Sequence, residues 1–571
     1  MADLKINNFQ KKVNLTYLQE FSKLKNIDAD TVSGVAMVNY ALKDDVSSVN
    51  GLESYTFTAN AGNDTLTTSG IYEYSGATAV TLTTTGVLPA GLSTSTTYYV
   101  ITENTNTLKL ASSLSNILTA TQIDIIDAGT GTHTIVPTAL GGITSIVDNN
   151  GTGTFNIFAV DSNGVIWTKY NDTWTVISGN SNITVFNLVI WKDYLFAIGT
   201  SGVDVYGTLS DISTAAWKVN FTTFSDVTGD RPVNAGLNET RRLYIGVSNQ
   251  IVTIEETAGD TFDPNDGASY DVNSTAFDVP SGYKITTLAE LGSYLAIGTQ
   301  YGTGDGAGTI ADIFFWNGQD DQADTVIQLG TRGVKSMINY GGVIYAMAGT
   351  KGEIYALDST SSKRVGMINA QMLGLQQDSM QFNTYSNAIG KYRDKILFGG
   401  ITSQNGDPVG VFSFNPQTGG TSLEFTVSTG SDGSGGTLTN IYCLYVKSDE
   451  DIFVGYTDDT VNKIDRLSTS RRYTKDSYIE TGLYRVGQDR RKAVYKHTEI
   501  VLAKDLETAN SVIVSYRTKL NENFTEIGRI TEGYQKIIDK DINVDSIQIK
   551  IELKTNSQTG HSPELISVNL Y

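Results

Sequence analysis

The chain has 571 residues, 40% hydrophobic and 10% aromatic, with 56 glycines and only 8 prolines. It is too long for one hydrophobic core, since single cores stop growing at about 250–300 residues, and too apolar for a disordered chain. A formal charge of −20, from 61 acidic against 41 basic residues, sets the average surface against phosphate backbones and anionic lipid, which argues against nucleic acid as the main ligand.

Residues 1–51 are polar and lack a sustained period. The stretch YLQEFSKLKNI places Tyr17, Phe21 and Leu24 near one helical face and predicts a short helix. VSGVAMVNYAL, from Val32, predicts a strand and is a candidate for closing the downstream repeat array by pairing with its last unit. The segment as a whole reads as an extended docking arm. Its start, MADLKINNFQKKVNL, has no apolar signal region, and no run in the chain approaches the roughly 18 apolar residues of a membrane span. On that reading the chain carries no secretion signal or lipid anchor.

Residues 52–137 turn rich in Thr, Ser, Ala and Gly: YTFTANAGNDTLTT, AVTLTTTGVLPAGLSTSTTYYVI, NTLKLASSL, IDIIDAGTGTHTIV. Short alternating runs broken by turn residues predict a small antiparallel β domain.

Residues 138–470 carry a repeat: a turn, a strand ending in small residues, another turn, and a strand bearing aromatics. Examples are KDYLFAIGTSGVDVYG, RRLYIGVSNQIVTIEE and GGVIYAMAGTKGEIYALD. The glycines ending the first of these strands, Gly199, Gly246, Gly298, Gly349, Gly399 and Gly455, are 47 to 56 residues apart. A period near 50 with several strands and no helical signal predicts a β-propeller blade per unit. Seven units are counted, with six or eight as alternatives, and a run of hairpins in a long sandwich as the competing architecture. The glycine-ended strands are expected to be the inner ones, where converging blades require small residues. Residues 471–571, with SVIVSYRT, SIQIKIEL and LISVNLY, predict a C-terminal β-sandwich. The predicted fold class is therefore all-β throughout.

Chemistry is hard to place on this chain. The three histidines, His133, His497 and His561, fall in separate regions without metal-ligand spacing, and His133 is expected on an exposed strand position. The one cysteine, Cys443, lies in the apolar run IYCLYV and reads as a small buried hydrophobe. No nucleophile elbow, Walker-type loop or zinc-protease motif is present. Acidic loops at Asp161 (DSNG), Asp263 (DPNDG) and Asp320 (DDQAD) offer oxygen ligands for calcium, but Asp, Asn and Gly are also what turns demand. DSNGVIW is similar to the Asp-box turn of sialidase-like propellers, and the other units do not repeat it. No catalytic, cofactor or metal residue is assigned, and no enzymatic activity is expected. Basic spots at Arg471–Arg472 and in DRRKAVYKH, from Asp489, read as salt bridging near a domain junction or as docking to an acidic neighbour.

Residues 64–135, DTLTTSG…AVTLTTTGVLPAGLSTSTTYYVI…NTLKLASSLSNILTATQIDIIDAGTGTHTI, resemble a small β module that recurs in structural proteins of tailed bacteriophages. The hallmarks are a V-x-L-T run, LP followed by a TxYYVI strand, an LKLA strand and a GTGT-H-T ending. The stretch IYEYSGATAV departs from the module by lacking an H-G-L-x-x-G-D turn. NNFQKKVNLTYL is similar to the starts of tail proteins whose arm precedes a propeller, and SYIETGLYRVG…PELISVNLY to the β-sandwich that ends many of them. The resemblance implies a virion component made in the host cytoplasm, in the tail or head-to-tail connection. It would assemble into a nozzle-like ring of identical subunits around the DNA channel and contact neighbouring tail or adaptor proteins. The alternative is a receptor- or glycan-binding tail protein, with Tyr301, Trp316 and Trp191 as exposed aromatic candidates.

Overall fold

The structure is a computed structural model. It describes residues 4–6, 21–25, 27–29, 36–38, 40–47, 53–71, 74, 77–113, 116–117, 119–149, 156–170, 173–177, 185–211, 215–224, 233–237, 240–302, 310–368, 382–402, 410–428, 439–458, 461–473, 477–485, 492–555 and 562–571. Strands make up nearly all its regular structure, with a 3-10 turn at Leu209–Asp211; the chain is all-β. Its contacts divide into two units: one of Met1–Asp44, Leu329–Val454 and Asp465–Tyr571, the other of Asp45–Gln328 and Gly455–Ile464.

The second of these units holds a closed six-stranded barrel and four meander sheets. The barrel runs from Tyr55–Asn60 to His133–Pro137. Alternation along its strands turns Leu66, Val80, Leu82, Val100, Leu108, Leu110 and Ile135 inward to fill it. The meanders are the strands of residues 143–177, 185–223, 233–278 and 283–329, each a four-stranded antiparallel sheet whose strand order follows the sequence. That is the strand order of a propeller blade. The second strands, such as YLFAIG and YLAIGTQY, are buried along most of their length because both faces are covered, while the fourth, such as Tyr270–Asp278, alternates toward solvent.

The expectation that the glycine-ended strands are innermost is overturned. It is the preceding strand of each sheet, Ile143–Asp148, then Val185–Trp191, Val233–Leu237 and Tyr283–Leu291, that packs against its counterpart in the next. Three of these four first strands carry a bulge, between Ile143 and Ser145, Val185 and Asn187, and Ile285 and Thr287, while Val233–Leu237 pairs in regular register. Each bulge adds local twist where sheets converge. At the first, Thr144 donates its hydroxyl to Phe186 O of the neighbouring sheet, 2.8 Å away. Glycine is still required in the second strand, where a neighbouring first strand comes close. A Cβ on Gly455 would lie 2.7 Å from Ile143 Cβ, so the second strand needs glycine to admit a neighbouring first strand. Gly349, by contrast, is a turn glycine with φ +74°.

The unit built on Leu329–Val454 contains a further sequential meander, Val334–Tyr340 to Ser362–Met367, and the four strands Ile389–Tyr392, Lys395–Gly399, Gly410–Phe414 and Thr421–Thr426. Here a Cβ on Gly399 would meet Ile441 Cγ2 at 2.3 Å, the same strand-admitting role as at Gly455. The sheet is continued by Phe21–Lys25, which runs parallel to Thr421–Thr426 and antiparallel to Tyr478–Thr481. The helix expected from Tyr17 is thus overturned at Phe21–Lys25, because two strand edges supply backbone partners that local periodicity cannot match; Tyr17 lies outside the described residues. Leu4–Ile6 and Ala36–Val38 pair with the last strand, Leu565–Leu570, and Ile27–Ala29 pairs with Ala36–Val38. The N-terminal segment therefore supplies strands to the C-terminal sheets, whose core joins Ile479, Tyr495, Ile500, Val514, Ile549 and Val568. Cys443 is buried in Thr439–Ser448.

The sheet containing Thr439–Ser448, Asp451–Asp458 and Val461–Arg472 ends on a strand from the other end of the chain, Tyr40–Ser47. The strand expected from Val32 is present as Ala36–Val38 and Tyr40–Ser47.

Candidate functional site

The most connected polar site sits on the first meander sheet, residues 143–177. Asp161 ends its second strand and is fully buried. Its Oδ1 accepts from the Asn163 and Val165 amides at 2.9 and 3.0 Å, and its Oδ2 from the Gly141 amide at 2.8 Å and Trp167 Nε1 at 3.0 Å. Burial pushes its pKa up, against the pull of those four donors. Each oxygen already has two donors, which leaves no lone pair for a cation. Gly141 is required for that approach, since a Cβ there would lie 2.9 Å from the carboxylate carbon.

A second acid on this sheet comes from far away in sequence. Asp45, in Tyr40–Ser47, holds Lys169 Nζ with both carboxylate oxygens at 2.8 Å, and its Oδ2 accepts from Trp174 Nε1 at 2.7 Å. The side chains of Lys169 and Asp45 are 6% and 14% exposed, so the pair is largely withdrawn from water. Next to Trp174, the Thr175 hydroxyl donates to the Ala77 carbonyl of the barrel. Asn462 Nδ2 donates to Leu140 O at 3.0 Å, and Gly455 packs on Ile143. Asp45, Ala77 of the barrel and Gly455 thus all touch this one sheet, and Asn462 holds the residue Leu140 just ahead of it. Sequence reasoning missed Asp45 and Lys169: 124 positions separate them, and nothing local in LKDDV or WTKY announces a pairing.

The other sequence candidates are dispersed. Asp263 and Asp266 cap their own turn, accepting from the Asn265 and Ala268 amides. Asp320 accepts from Asn317 Nδ2 through its side chain, and from Trp316 Nε1 through its carbonyl. No group of three or more His, Cys, Asp or Glu among the described residues is arranged to hold a metal ion. His133 is buried inside the barrel rather than exposed: Nδ1 lies 2.8 Å from Thr84 Oγ1, Nε2 lies 3.2 Å from Ala128 O, and the ring packs on Phe57. His497 is exposed beside Asp539, and His561 lies outside the described residues. Arg471 and Arg472 end the strand Val461–Arg472, while residues 489–491 of the second basic spot lie outside the described residues.

Two of the three aromatic binding candidates are also in the interior. Trp191 and Trp316 are 2% and 1% exposed, packed on Phe196 and Phe262 and on Phe277 and Tyr244 respectively. Packing between strands claims their large apolar area first. Tyr301 is accessible at 42%, edge-on to Tyr283. The Tyr283 hydroxyl donates to Asp312 Oδ2 at 2.6 Å, and that bond, with burial, pushes its pKa up to about 12.

No helix among the described residues is long and apolar enough to cross a membrane. No protein-family model matches the chain, and no curated protein matches it. Solved structures do. BamB from Moraxella catarrhalis is 15% identical, with 60% of this chain and 86% of that one covered at a TM-score of 0.34. The RRP9 WD40 repeats are 10% identical over 58% and 95%, at 0.35. Sqt1 of Saccharomyces cerevisiae is 10% identical over 57% and 95%, at 0.34. These are WD40 and propeller proteins; at such TM-scores the propeller assignment rests on the strand order itself.

Proposed function

We propose that this chain is a structural subunit of a tailed-phage virion, a tail or head-to-tail connection protein that assembles with copies of itself into a ring around the DNA channel. The observation that carries the reading is the module of residues 64–135, whose hallmark residues build the closed barrel. Gly86, Gly129 and Gly131 of GVLP and GTGT bring backbones together so closely that a Cβ would lie within 2.2, 2.5 and 2.7 Å of neighbouring main chain, and the histidine that ends the module fills the barrel.

On this reading the propeller has seven blades. Five sequential meanders are followed by the four strands between Ile389 and Thr426, then by Thr439–Ser448, Asp451–Asp458 and Val461–Arg472 with Tyr40–Ser47 as the fourth strand. Rigid sheets suit a part that keeps its shape while DNA passes, and the charge of −20 keeps its wall from gripping the strand. No catalytic role belongs to this proposal. Receptor or glycan binding is the weaker reading, because burial removes Trp191 and Trp316 from its three candidates.

The test is the mass and shape of the purified full chain, by light scattering and electron microscopy, with host-cell binding measured in parallel. Closed rings that do not bind cells are expected. Monomers or trimers that bind cells overturn the proposal.

A further inference from the structure

Two attachments from different parts of the chain meet on the first meander sheet. Asp45 closes the N-terminal strand onto Lys169 and Trp174, and the very next residue, Thr175, anchors the barrel through the Ala77 carbonyl. Both attachments therefore end on one five-residue strand, Thr173–Ile177, or on its partner Ile166–Tyr170. Only residues 48–54 separate the end of Tyr40–Ser47 from the start of the barrel at Tyr55.

Two features set the joint apart from ordinary packing. The Asp45–Lys169 pair is mostly desolvated, an arrangement that costs much of its Coulomb gain and whose best-attested use is fixing register or switching. Ala77, buried, holds φ +69°, a left-handed conformation uncommon for alanine, at the residue that presents its carbonyl to Thr175.

We propose that Tyr40–Ser47 is a releasable strap, and that the seating of the barrel and the closure of the strap are one coupled latch: each stabilises the other through Thr173–Ile177. Displacing the barrel unlatches Asp45, and releasing Asp45 loosens the barrel. The latch is independent of the virion assignment.

Hydrogen exchange by mass spectrometry on the full chain reads both halves at once. Thr175→Val removes the barrel's anchor without touching Asp45. It is expected to speed exchange of the amides of residues 40–47 by at least about 5-fold, the low end of ordinary site-to-site coupling. Asp45→Asn, which keeps an acceptor for Trp174, is expected to speed exchange around Ala77 by the same factor, because coupling is reciprocal. Thr175→Ser keeps the donor and must leave both regions at the wild-type rate, which separates loss of the bond from general loosening. Purely local effects, with the strap unchanged in Thr175→Val and the barrel unchanged in Asp45→Asn, overturn the latch. If either variant fails to fold, Lys169→Gln replaces it and must show the same joint acceleration; acceleration confined to the strap refutes the proposal.

Discussion

Gly455→Ala tests whether the strand Asp451–Asp458 packs onto the first meander sheet at Ile143. The added methyl would lie 2.7 Å from Ile143 Cβ, 2.9 Å from its Cγ2 and 3.3 Å from its carbonyl oxygen. Carbon atoms pack at about 3.5–4.0 Å, so a gap of about 1 Å must open. The obstructing atoms cannot swing away: Cβ is fixed to the backbone, and a branched side chain is stiff at χ1. Overpacking of this kind costs about 1–3 kcal/mol, offset by about 0.4–1 kcal/mol from the loss of glycine's freedom in the unfolded chain. The net loss is about 1–2 kcal/mol, which in a unit of about 290 residues lowers the melting temperature by roughly 2–3 °C. Gly267→Ala is the control, since nothing lies within 4 Å of its Cβ, and it should melt within about 1 °C of wild type. Scanning fluorimetry on both variants decides the matter. If Gly455→Ala melts at or above the wild-type temperature, the strand does not pack on Ile143.

The buried pair of Lys395 and Glu424, 2.8 Å apart with side chains 2% and 0% exposed, makes a second test. Lys395→Met removes the cation that faces this buried carboxylate while its hydroxyl donors Ser413 and Ser422 stay in place, and should cost about 3–5 kcal/mol in urea unfolding, whereas Lys395→Met with Glu424→Leu should recover most of it. Equal losses in the single and double variants would contradict that. Lys192 and a backbone amide hold the Glu256 carboxyl below its usual range; a depressed carboxyl stabilises the fold above its unfolded pKa and loses that contribution as pH falls through the folded value. Glu256→Gln should therefore lower stability by under about 1 kcal/mol at pH 7 and converge on wild type in acid, as melting at the two pH values will show; a constant difference would refute the cause. Tyr301→Ala should leave both the oligomeric state and the melting temperature near wild type, and any cell binding lost with it would revive the receptor reading.

The repeat was legible because each unit carries its own information: a second strand that ends in a small residue and a third that bears aromatics. The β nature of the barrel and of the C-terminal sheets was legible for the same reason, since alternation is local. What could not be read were pairings between distant segments. Phe21–Lys25 looks helical until the edge at Thr421–Thr426 is beside it, and Asp45 is one more surface acid until Lys169 is known to face it. The innermost strands were missed because ITSIVD and VFNLVIW carry no small-residue signature; a bulge, not a glycine, adapts them. His133 was misplaced because alternation alone does not say which face of GTHTIV turns inward; the closed barrel decides it.

Cryo-electron microscopy of intact particles carrying this chain tests the central claim most directly. The account predicts barrel, propeller and sheet density repeated around the tail axis, lining the channel. Density confined to a peripheral fibre, or the chain's absence from the particle, would contradict it.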